Sequence, residues 1–73
     1  MEAFMAYNHY RTIYVQATFS AGLAIGALRS HLVSNSSGCI TVGPVRDGYV
    51  EVEICTYNSA VMAYAEDQLA AFV

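Results

Sequence analysis

Residues 12–28 read TIYVQATFSAGLAIGAL, seventeen positions without a charge between Arg11 and Arg29. The hydrocarbon core of a bilayer is about 30 Å thick and takes about 20 mostly apolar residues to cross, so a run of this length is at the lower limit of a span. It also holds Thr12, Gln16, Thr18 and Ser20. Its texture changes halfway. Ile13, Val15, Ala17 and Phe19 recur at every second residue, the period of a half-buried strand, whereas Ala21, Ile25, Leu28 and Leu32 follow helical spacing. A single membrane helix has no reason to change period. The run is therefore expected to be a strand feeding a helix in a soluble fold, with a small membrane protein spanning from Thr12 to about Leu28 as the lesser alternative.

Outward from this junction, Ser20 offers a hydroxyl to the free N–H groups of a first helical turn, and the helix should end near Val33 or Ser34, before the polar loop SNSSG. Cys39 to Pro44 and Tyr49 to Thr56 alternate with period two around the turn signal Arg46-Asp47-Gly48, which predicts a β-hairpin. A two-residue Asp-Gly turn would pair Arg46 with Tyr49 and so set Val52 opposite Gly43 and Ile54 opposite Thr41, mixing apolar with polar positions. A three-residue loop with Gly48 left-handed instead pairs Val45 with Tyr49, Val42 with Val52 and Ile40 with Ile54, and makes one face uniformly apolar. That register also sets Cys39 opposite Cys55 on the other face, within disulfide range. Beyond it, Thr56 or Asn58 can cap a last helix with Val61, Met62, Ala65, Leu69 and Phe72 on one stripe.

Strand, helix, strand, strand, helix predicts an α+β domain: a three-stranded antiparallel sheet with two helices on one face, in βαββα order, a truncated ferredoxin-like unit. A right-handed crossover places strand one beside strand three, leaving strand one as an open edge where a fourth strand would lie. Tyr14 to Ala17 hold neither Lys nor Pro to protect that edge, so residues Glu2 to Tyr7, a second copy or a different protein should cover it. The whole of 1–73 is expected to be one small domain, with 1–9 a flexible lead-in or an added edge strand. A domain of this size buries only about 60% of its unfolded surface, which makes a partner a reasonable expectation.

Composition narrows the function classes. The chain is 56% hydrophobic and only 12% charged, with a net charge of -3 and Arg11, Arg29 and Arg46 as its fixed cations, a poor match to direct nucleic-acid binding, which needs cations against phosphates. The start MEAFMAYNHY has no cationic n-region or long apolar stretch, so a cytoplasmic location is expected, with Cys39 and Cys55 as reduced thiols. His9, His31 and the two cysteines lack the paired spacing of a metal site, and no nucleophile motif surrounds any Ser or Cys. No cofactor, metal, catalytic residue or enzyme activity is expected.

Two surfaces remain. The open sheet face should carry Tyr14, Gln16 and Thr18 from strand one, Thr41 from strand two and Tyr49, Glu51, Glu53 and Cys55 from strand three. Base-binding sheets surround such aromatics with cations. Here the neighbours are acidic, which points to a basic protein surface or to Arg11 or Arg46 of a second copy. The second surface is the strand-to-helix junction at Ser20, Ala21 and Gly22, whose N–H groups could hold an anion, although Gly22 and Gly26 are more economically a smooth packing face. In outline Ile13 to Phe72 is similar to small ligand-sensing ferredoxin-like domains of the amino-acid-binding regulatory type. Their Pro-Gly at this junction is replaced by Ser20, Ala21 and Gly22, and their last strand is missing. That resemblance implies a small-molecule sensor of an anion or amino acid. The leading expectation is a non-enzymatic protein-protein interaction module: a homodimer through the strand-one edge, or a small acidic inhibitor or adaptor docking on a larger protein, of the kind mobile elements encode against host defence.

Overall fold

In the computed structural model, which describes residues 7–73, β1 (His9–Gln16) leads into α1 (Phe19–Ser34), and β2 (Gly38–Arg46) and β3 (Tyr49–Thr56) form a hairpin. The chain closes with α2 (Ser59–Leu69) and one 3-10 turn, Ala70–Phe72. The three strands are antiparallel in the order β1-β3-β2. Val15, Ile40, Val52 and Ile54 from alternate strand positions meet Ala21, Ile25, Leu28 and Leu32 of α1 and Met62, Ala65 and Leu69 of α2 in one buried cluster, so both helices cover the same face. This is the expected βαββα fold, and both helical stripes match the spacing read from the sequence. Among the described residues no helix is long and apolar enough to cross a membrane.

The strand-to-helix boundary lies earlier than the alternation suggested. β1 stops at Gln16, and Phe19, expected on the inward side of the strand, opens α1 and is 82% exposed. The Ala17 N–H donates to the Gly48 carbonyl at 2.8 Å and the Thr18 N–H turns back onto the Gln16 carbonyl at 2.9 Å, which ends the strand. Thr18, extended at φ -117 and ψ 162, accepts from the Ala21 N–H through its hydroxyl at 3.1 Å. Thr18, not Ser20, is therefore the cap of α1: with two hydroxyls in reach of one helix start, the one on the last extended residue has the geometry. Asn58 caps α2 as expected, accepting from Val61 N–H at 2.8 Å, while the Thr56 hydroxyl donates to the Asn58 carbonyl at 2.8 Å.

The hairpin combines two registers. At its tip Arg46 pairs with Tyr49 and Val45 with Val50, the register of a two-residue turn, and Asp47 (φ 53) and Gly48 (φ 82) both take the left-handed backbone that such a turn requires. From Val42↔Val52 inward, through Ile40↔Ile54 to Cys39↔Cys55, the pairing is the expected one. The three-residue loop is thus corrected. The frame changes within the strand instead, at a bulge between Val42 and Val45 that places Gly43 and Pro44 against Glu51. Pro44 has no N–H to give a ladder, and a bulge is where a strand tolerates it. Asp-Gly thereby keeps its preferred turn and the apolar face keeps its uniform register.

Candidate interaction surface

Phase along β1 follows from one bond. Since Ala17 donates to Gly48, the odd-numbered residues of β1 direct their backbone groups at β3 and their side chains at the helices. The even-numbered Tyr10, Thr12, Tyr14 and Gln16 then project side chains onto the uncovered face and backbone groups toward the free edge. Of these, Gln16 has its carbonyl taken by Thr18, and upstream Asn8 N–H is turned inward onto the Thr56 carbonyl at 3.1 Å. Among the described residues, Tyr10, Thr12 and Tyr14 form a short, bulge-free template of unpaired donors and acceptors. The suggestion that Glu2 to Tyr7 folds over this edge lies outside the described residues except at Tyr7, whose ring stacks on Tyr57 with centroids 4.5 Å apart.

On the uncovered face Tyr14 stands opposite Glu51 and Gln16 opposite Tyr49, while Glu53 lies between Thr12 and Thr41. Five of the six expected contact residues, Tyr14, Gln16, Tyr49, Glu51 and Glu53, therefore share one surface. Thr18 does not; it is spent on capping α1. Tyr10, not among the expected contact residues, belongs here and is 61% exposed, more than Tyr14 at 56%. Its signal was its even position in a strand that begins at His9, earlier than the uncharged run. The face is less acidic than expected, because Arg46 pairs with Tyr49 and lines a shallow cleft with Tyr14, Pro44, Tyr49 and Glu51. Arg11 is on the opposite side of the sheet, held at 3.0 Å by Glu66 of α2, so it does not project toward Glu51 and Glu53.

At the far end of the same face Cys39 and Cys55 are free thiols, both half-buried and directly opposed. Hydrogen bonding to Cys39 is the largest of several effects that push the Tyr7 phenol up to about 12, followed by burial, the Cys39 charge and Tyr57. The Cys55 thiol is also pushed up, by burial first, then by Cys39 and Glu53.

The junction surface is mostly apolar. A cavity of about 370 Å³ opens there, walled by Ala17, Ala21, Gly22, Ile25, Val42, Val45 and Val50, with Gln16 and Thr18 as its polar members. Ser20 is not among its walls, and Thr18 already bonds the helix start through both hydroxyl and carbonyl. Among the described residues a Cβ on Gly22 or Gly26 would meet nothing within 4 Å, so these glycines serve no close approach there. His31 lies against Tyr64, ring centroids 4.9 Å apart, and among the described residues no three metal-ligating side chains converge. Comparisons with protein families, with curated proteins and with solved structures found no match to this chain.

Proposed function

We propose that this chain is a non-enzymatic interaction module that acts as a homodimer, two β1 edges pairing antiparallel to join the sheets into one of six strands. The observation that carries this reading is the β1 edge, unpartnered among the described residues, with neither Lys, Pro nor bulge along Tyr10 to Tyr14 and with its one charge, Arg11, turned to the helix side and paired with Glu66. Natural edges of that kind are normally blunted by charge, proline, irregularity or a covering segment. The three residues that direct backbone groups outward also set the register: Thr12 faces Thr12 of the second copy, and Tyr10 faces the second copy's Tyr14. Tyr pairs across strands then flank the symmetry axis on the uncovered face, where each contributes both packing and a hydroxyl. A small domain with little core of its own gains the most from such an extension.

Light scattering behind size-exclusion at two protein concentrations tests it, with Thr12→Pro as the probe. Proline at Thr12 removes an N–H that points away from β3, so it should abolish dimerisation while leaving the β1–β3 ladder intact. A wild-type chain that stays monomeric at the higher concentration, or a Thr12→Pro chain that still dimerises, refutes the proposal. Monomeric wild type that binds a larger protein through the same edge, and loses it with Thr12→Pro, would move the module to the adaptor or inhibitor class.

A further inference from the structure

Cys39 and Cys55 are not merely neighbours in a register. The Tyr57 N–H donates to the Ser37 carbonyl at 3.3 Å, and two residues further along each strand Cys39 faces Cys55, so by alternation the two cysteines form a hydrogen-bonded pair. Such pairs hold their Cα atoms about 5.5 Å apart, within the span of a disulfide, while their Cβ atoms, also about 5.5 Å apart, must draw together by about 1 Å for the bond to form; both side chains leave the sheet on the face opposite α1 and α2. Both remain partly open to solvent, and Tyr7, Tyr57 and Tyr10 stand around them. Only that local approach is needed for a cross-link, because β2 and β3 are already paired from Gly38↔Thr56 through to Val42↔Val52.

We propose that Cys39 and Cys55 are a dithiol modification site that reacts with small disulfides such as oxidised glutathione to form a reversible intramolecular disulfide. One cysteine thiolate attacks a sulfur of oxidised glutathione, making a mixed disulfide and releasing one glutathione thiolate. The opposed cysteine, deprotonated, attacks the protein sulfur of that mixed disulfide and releases the second glutathione. In sum, two protein thiols lose two protons and two electrons, and one glutathione disulfide takes them up to become two glutathione thiols. The pairing that aligns the strands holds the second thiol beside the first, so closure should outrun addition of a second glutathione.

The test is intact mass and thiol titration after native full-length protein is incubated with oxidised glutathione. Wild type should lose both thiols together, with its mass lower by two hydrogens and no adduct, should run as a monomer on a non-reducing denaturing gel, and should regain both thiols with reductant. Cys39→Ser and Cys55→Ser, checked for unchanged circular dichroism, should each stop at a single glutathione adduct. Wild type that keeps both thiols, that ends with one or two adducts, or that cross-links between chains overturns the proposal.

Discussion

Gly26 and Gly38 should respond to the same substitution with opposite signs. Gly26 lies in the interior of α1, and a methyl built there meets nothing within 4 Å. Alanine then contributes its helix propensity alone, about 0.8–1.0 kcal/mol relative to glycine. For a domain of this size that corresponds to a melting temperature higher by about 4–8 °C. Gly38 opens β2 opposite Thr56, and a methyl there would collide with the Cys55 carbonyl oxygen and stand 3.2 Å from Thr56 Cγ2. The nearest obstacle is backbone of the central strand, so β2 must move off by on the order of 1 Å, and the overpacking costs about 1–3 kcal/mol or more. Gly38→Ala should therefore melt roughly 4–20 °C lower. Thermal unfolding followed by circular dichroism on both variants and wild type, at one low protein concentration, reads the two shifts. A neutral Gly38→Ala would mean that the Gly38↔Thr56 register is wrong. A destabilising Gly26→Ala would mean that something packs on the outer face of α1 in the native assembly, and repeating the melt at higher concentration would show whether that is a second copy.

Ile13→Pro, which removes an N–H directed at β3 in the interior of the sheet, should cost about 3 kcal/mol or more by far-ultraviolet circular dichroism and urea unfolding. Thr12→Pro, one position away, should stay folded; equal losses would overturn the phase assigned to β1. Thr18→Ala should lower stability by about 1 kcal/mol while Ser20→Ala changes it by no more than a few tenths, and the reverse order in urea unfolding would return the cap to Ser20. Arg11→Ala should cost less than about 1 kcal/mol, because its pair with Glu66 is 57% and 34% exposed, and a loss that persists in high salt would contradict a screened surface pair. Tyr7 has its phenol raised from 10.0 to about 12, so the folded state holds that proton more tightly: the contribution is present below pH 10 and fades as the pH rises through about 12. Ultraviolet titration of wild type against Tyr7→Phe should show this late phenol, and forming the Cys39–Cys55 disulfide should bring it earlier by removing its largest cause; a phenol titrating unchanged in both would refute the contact.

The residues' chemistry and spacing alone carried the order of elements, the inward stripes of α1 and α2, and the inner pairing of β2 with β3, because each follows from a period of two or 3.6 that one buried face enforces. The same logic put Cys39 opposite Cys55 and left the β1 edge open. What the sequence left undecided was competition between local solutions of nearly equal merit. Thr18 and Ser20 can both cap; the choice went to Thr18 because the chain leaves the sheet at Gln16, where Ala17 meets Gly48 of another strand. Asp47-Gly48 favoured a tight turn while the apolar face favoured a different frame, and both were satisfied only by a bulge at Gly43 and Pro44, visible once Glu51 faces them. Arg11 seemed free for a partner until α2 folded back and brought Glu66 to it. Periodicity is local and belongs to the sequence; which of two caps, two frames or two ion partners prevails depends on residues far along the chain, and only the folded structure brings those together.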